Sequence, residues 1–153
     1  MEVYHAEMKI HRCIGILLNQ KGLPINTDMF LKLGQIKIRQ IENLEKIFLL
    51  IDLPLGGKNN LIIDPLVEKC INFIPRLSQN KESLYQVSQI MLSINAIIHS
   101  SYTWMAFKAI HSNLEELESL LSANLDMETE IGDNLMQWSI RFDNRNERIQ
   151  KRI

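Results

Sequence analysis

Cysteine, proline and glycine are all scarce: two, four and six residues in a chain of 153. Two cysteines cannot build the dense disulfide framework that staples small secreted domains. Cys13 and Cys70 both fall in apolar helical patterns, so free buried thiols are the expected state. No apolar run reaches the roughly 18 residues that span a bilayer; LEKIFLLI is too short, and charge flanks it. The N-terminus, MEVYHAEMKIHR, lacks the basic start and long apolar core of a signal peptide. The expectation is a soluble, intracellular, cytoplasmic protein without a membrane span. Neither sign of charge prevails: 17 bases face 18 acids, net -1, which leaves no global electrostatic footprint for nucleic acid. Sustained strand alternation is absent throughout, so the fold class is all-α.

What is present is a hydrophobic share of 46%. A chain of this length buries roughly 70% of its unfolded surface in one domain. The charges are segregated. Residues 1–111 carry 12 bases and 9 acids. Residues 112–140 carry seven acids, Glu128 and Glu130 among them, and no base. Residues 141–153 carry five bases and two acids. This reads as a solvated acidic face followed by a basic tail that pairs with it, or as an acidic ridge facing a basic partner.

The first helix is expected from about Val3 to Asn19, stopped by Gly22–Pro24. A second follows a cap at Asn26 or Thr27 and extends to Ile51, with a break possible at Gly34. Asp64-Pro65 opens a third, which ends near Pro75. Between Lys81 and Asn124 there is neither glycine nor proline, yet the apolar stripe changes. Leu84, Val87, Met91, Ile94 and Ile98 form one seam; Phe107, Ile110, Leu114, Leu117 and Leu121 form another. Ser100, Ser101 and Thr103 are good caps and poor interior residues, so a break is predicted there and another at Ser112-Asn113.

A repeat is visible along the chain. NLMQWSI from Asn134, TWMAFKAI from Thr103, DPLVEKCI from Asp64 and TDMFLKLG from Thr27 each begin on a capping residue. NLEELESLL (113–121), NERIQKRI (146–153) and NLEKIFLLI (43–51) follow as second phrases. The units fall at about 24–55, 60–100, 101–131 and 132–153.

The stretch SNLEELESLLSANLDMETEIGDNLMQWSI resembles the ankyrin repeat, best over residues 101–153. Gly132-Asp133-Asn134 stands where that family's turn precedes an inner helix, and Asp64-Pro65-Leu66 resembles its Thr-Pro-Leu. The histidine of the motif is absent from all four units. The resemblance implies stacked helix-turn-helix repeats, a turn at Gly132, an inter-helix turn at Asp143-Asn144-Arg145, and a non-catalytic module that binds another protein. It places partner-binding residues at Glu68, Phe107, His111, Trp138 and Arg141 on the concave side and at Thr129, Glu130 and Asp133 on the finger. Trp138 and Phe107 serve equally as core residues.

Catalytic constellations are thin. His99 and His111 are separated by twelve residues, about 120° apart on one helix, which does not favour phosphotransfer. Glu2-x-x-His5 is a single Glu-x-x-His, and Glu7 with His11 adds an i,i+4 pair, where a carboxylate-bridged metal bundle uses two Glu-x-x-His motifs and further glutamates. Gly56-Gly57-Lys58 lacks a phosphate loop's spacing. Neither a metal nor a cofactor is implied, and the chain is read as not an enzyme. The rival architecture is a five- or six-helix bundle, as a monomer or a dimer, acting as a regulatory subunit or small enzyme. Its stripe of small residues, Ser93, Ala96, Ser100 and Thr103, would line a helix contact or pocket.

Overall fold

In the first helix, Val3, Ala6, Glu7, Ile10, Cys13, Ile14 and Leu17 recur three and four residues apart and are all buried. That spacing forms one stripe, which must find cover. The computed structural model describes residues 2–20, 27–55, 58–77 and 81–142. Among them the elements are α1 (Glu2–Leu18), α2 (Thr27–Leu50), α3 (Ile63–Phe73) with a 3₁₀ turn at Ile74–Arg76, α4 (Lys81–Ile110) and α5 (Glu115–Ile140). The Gly22–Pro24 stop, the Asp143–Arg145 turn and the tail helix with Ile149 and Ile153 lie outside the described residues.

Side-chain pairs fix the directions. Tyr4 meets Glu45, and Glu7 meets Lys37, so α1 and α2 are antiparallel. Lys32 pairs with Glu130 and Asn43 with Asn124, so α2 and α5 are antiparallel. Tyr102 meets Asn124 and Ser88 meets Ser139, so α4 and α5 are antiparallel. α2 and α4 therefore run the same way, and the chain must cross the bundle between them. That crossover carries α3, which lies parallel to α1 through Lys9–Asp64 and Cys13–Cys70. Four-helix bundles with one long crossover are an established solution to burying such stripes. Here α3 packs against both α1 and α4 and fills the gap between them.

Among the described residues all-α holds, but repeat hairpins do not form. α4 is unbroken through the predicted break at Ser100–Thr103. The hydroxyls there donate back along the helix, Ser101 Oγ to Ile97 O and Thr103 Oγ1 to His99 O, and so do not cap a new one. The turn falls at the second predicted place: Asn113 adopts φ 57°, a conformation asparagine tolerates at a helix end. α2 passes through Gly34 and α5 through Gly132 without interruption. Gly132 is there for space. A Cβ on it would lie 2.6 Å from Asn95 Oδ1 on α4. The start of α3 also moves. Asn60 Oδ1 accepts from the backbone N–H groups of Ile62 and Ile63, and Asp64 pairs with Lys9 instead of capping.

The seam Leu84, Val87, Met91, Ile94 and Ile98 is buried as expected. In the second seam Leu121 is buried, while Phe107, Ile110 and Leu114 face outward. Trp138 packs edge-on to Phe30 at 5.0 Å and to Phe142 at 5.2 Å between centroids.

Candidate functional site

Four helices each place polar groups into the apolar centre. α1 contributes Glu7, in register with Val3, Ala6 and Ile10. α2 contributes Lys37 and, one turn on, Gln40. α5 contributes Asn124 and Glu128, four apart on its buried stripe. α4 contributes Asn95 and Tyr102, two turns apart. Glu7, Lys37 and Glu128 are 0%, 1% and 1% exposed.

Lys37 Nζ lies 2.8 Å from Glu7 Oε2 and 2.7 Å from Glu128 Oε2. The remaining carboxylate oxygens are also served. Tyr102 OH donates to Glu7 Oε1 at 2.8 Å, and Asn95 Nδ2 donates to Glu128 Oε1 at 2.8 Å. Gln40 Nε2 donates to Glu128 Oε2 and to Asn124 O. Asn124 Nδ2 donates to Gln40 O and to Tyr102 OH. The network is nearly closed; Gln40 Oε1 is a buried oxygen in it without a hydrogen bond, and Glu7 Oε2 is met by the charge of Lys37 without one. Such satisfaction is what allows charge to persist in a core.

The charges do not cancel, since two carboxylates share one ammonium. Burial, with Glu128 adding to it against the pull of Lys37, raises the Glu7 pKa from 4.5 to about 7. Burial alone would lower the pKa of Lys37, but the two carboxylates outweigh it and raise it, so Lys37 keeps its proton. Burial and the neighbouring Glu7 push Tyr102 well above its ordinary value.

These residues do not fit a metal ion. Metal centres in helical bundles converge several carboxylates and imidazoles. Here two carboxylates converge, and the ammonium of Lys37 holds the place between them where a cation would sit. Among the described residues no cluster of three or more His, Cys, Asp and Glu could hold a metal.

The outer face of α4 is the second notable region. Trp104, Phe107 and Ile110 are 58%, 56% and 56% exposed, and Leu114 just beyond the helix is 46%. Trp104 stacks on Phe107 with centroids 6.1 Å apart, and Phe107 meets His111 edge-on at 5.3 Å. Lys108 Nζ lies 4.9 Å from the Trp104 ring. His99, Ser100, Thr103, Trp104 and Phe107 border an open depression. Ser93, Ala96, Ser100 and Thr103 are exposed along the same helix.

The eight residues assigned to partner binding do not converge. Glu68 is exposed on α3, and Phe107 and His111 are exposed at the C-terminal end of α4. Thr129 is exposed on α5, its hydroxyl bonded to Leu125 O, and Glu130 pairs with Lys32. Asp133 and Arg141 are exposed on α5 and at its end. Trp138 is 2% exposed and belongs to the core, so it is no concave anchor. Sequence reasoning singled out none of Lys37, Gln40, Asn95, Tyr102 or Asn124; it weighed Glu7 only as a pair with His11, and it placed Glu128 on a solvated acidic face. Their signal is register: each falls among apolar residues at helical spacing.

No family model matches the chain, and no curated protein matches it. Among solved structures, the crystal structure of the E. coli stress protein YciF is similar. The TM-score is 0.82 at 17% sequence identity, over 94% of this chain and 91% of that one. At that identity the likeness is one of fold. It agrees with the long-helix bundle and overturns the reading of this chain as a protein-binding module of ankyrin-like repeats, for which the comparisons give no support. Among the described residues no helix is long and apolar enough to cross a membrane.

Proposed function

We propose that the chain is a non-catalytic regulatory bundle that works as a dimer of itself, paired through the outer face of α4. The observation that carries this is the Trp104–Phe107 stack, exposed beside small residues on one stripe. Contiguous exposed aromatics mark contact surfaces. An antiparallel pairing of two α4 helices about Ser100 sets Ser93 against Phe107, Ala96 against Trp104 and Ser100 against its own copy. Large residues then meet small ones on either side of the central Ser100 pair, which is the self-complementarity that a two-fold interface requires. The buried centre supports the non-catalytic part. Its carboxylates and ammonium are occupied with one another, and none is open to a substrate. Among the described residues, His99 is the titratable side chain at the border of the depression on α4.

Sedimentation equilibrium across roughly 1 to 100 μM, a range that captures ordinary specific dimers, tests the proposal. A dimer is expected, and Trp104→Ala should weaken it at least ~10-fold while the circular dichroism stays unchanged. Ala96→Trp, which fills the opposing notch, should do the same. A chain that remains monomeric, or a dimer indifferent to both substitutions, overturns the reading.

A further inference from the structure

Cys13 on α1 and Cys70 on α3 are free thiols, 3% and 0% exposed, 57 residues apart in the chain. Their sulfurs lie 3.6 Å apart. A disulfide needs about 2.05 Å, so side-chain rotation and a small shift of the short α3 would close the gap. A cavity of about 20 Å³ is bordered by both cysteines, with Val67, Met91, Asn95 and Glu128 also in its wall. That volume admits roughly one water-sized molecule. Hydrogen peroxide is of nearly that size, whereas bulky thiol reagents are not.

We infer that Cys13 and Cys70 form a modification site: hydrogen peroxide converts the pair to a disulfide that ties the crossover helix α3 to α1. The order of events follows from how the two thiols share their protons. The contact with Cys70 lowers the Cys13 pKa, while Cys70, held by the same contact and by burial, is raised well above its ordinary value. Cys13 is therefore the readier of the two to ionise, and the thiolate is the nucleophile. Its sulfur attacks one peroxide oxygen and the O–O bond breaks. Cys13 becomes a sulfenic acid and hydroxide leaves, to be protonated to water. Cys70 sulfur then attacks the Cys13 sulfur and expels hydroxide, which takes the Cys70 proton as water. Two thiols have lost two electrons, and one peroxide has become two waters.

The consequence is mechanical. α3 is the eleven-residue helix that fills the gap between α1 and α4. A covalent tie across a 57-residue separation removes much unfolded-state freedom. The site lies in the core and does not depend on how α4 is used.

The test is intact mass and peptide mapping of the native full chain after mild hydrogen peroxide treatment. A loss of about 2 Da is expected, with a cross-linked peptide joining Cys13 to Cys70. The melting temperature should rise on the order of 10 °C and return on adding dithiothreitol. Cys70→Ser should lack the cross-link and gain about 16 Da at Cys13, the mass of a sulfenic acid oxygen, by peptide mapping. Both thiols surviving treatment, oxidation of either past sulfenic acid without a cross-link, or disulfides only between chains would each overturn the inference. The wild-type measurement decides even if a variant fails to fold.

Discussion

The centre of the bundle and the outer face of α4 invert the usual distribution of residues. The centre holds a lysine and two glutamates where leucines would pack; the outer face holds a tryptophan, a phenylalanine and an isoleucine where water is the neighbour. The two tryptophans mark the same divide, Trp138 at 2% exposure and Trp104 at 58%. The difference teaches that these regions serve different ends. A buried ion pair gives modest net stability because desolvation offsets attraction. It does impose one register, since an unpaired charge in the core is intolerable. An exposed aromatic stack adds little to the fold of one chain and keeps its burial for a contact.

The most damaging change breaks the centre. Lys37→Met removes the ammonium and leaves Glu7 and Glu128 facing each other; the expected loss is about 3–5 kcal/mol by chemical denaturation at neutral pH. The combination Lys37→Met with Glu7→Gln and Glu128→Gln should recover most of it. If Lys37→Met alone costs nothing, the centre is not the ion-paired layer described.

A smaller effect comes from pH. The Glu7 pKa is about 7 in the folded chain against 4.5. Between those values the folded chain holds a proton that the unfolded chain has released. The Glu7 contribution is therefore most favourable below pH 4.5, and stability is lost as pH rises towards 7, by on the order of 3 kcal/mol. Denaturation of Glu7→Gln across this window should show that slope removed; an unchanged slope assigns it to other groups.

Gly132→Val probes the same layer from α5. The added Cβ meets Asn95, whose amide is held by Glu128 Oε1 and by Glu128 O. A loss of about 1–3 kcal/mol is expected. Paired with Asn95→Ala, the two costs should add to less than their sum. Full additivity would place the strain elsewhere. The smallest effect on folding belongs to the outer face. Trp104→Ala, which on the proposed pairing would separate two copies, should leave the stability of the single chain within about 0.5 kcal/mol.

Much of the helical content was legible. α1 begins and ends within a residue of expectation, and the Leu84–Ile98 seam is buried along its length. The misplacements share one origin. Ser100, Ser101 and Thr103 have the chemistry of caps, and Gly132 that of a turn, but each also fits inside a helix. Hydroxyls can bond back to the carbonyl four residues earlier, and glycine can admit a neighbouring helix. Local chemistry leaves both outcomes open. The apparent repeat arose the same way, because apolar spacing and capping residues recur in any set of amphipathic helices.

The sequence by itself determined that the chain is helical, which stripes are apolar, and that Glu7, Lys37 and Glu128 sit in register with those stripes. Only the tertiary structure decided that these three meet, that α3 crosses over to bring Cys70 to Cys13, and that Trp104 and Phe107 stay outside. The physical reason is that periodicity sets which face of a helix turns inward, whereas the partner it meets there depends on directions and neighbours that belong to the assembled bundle.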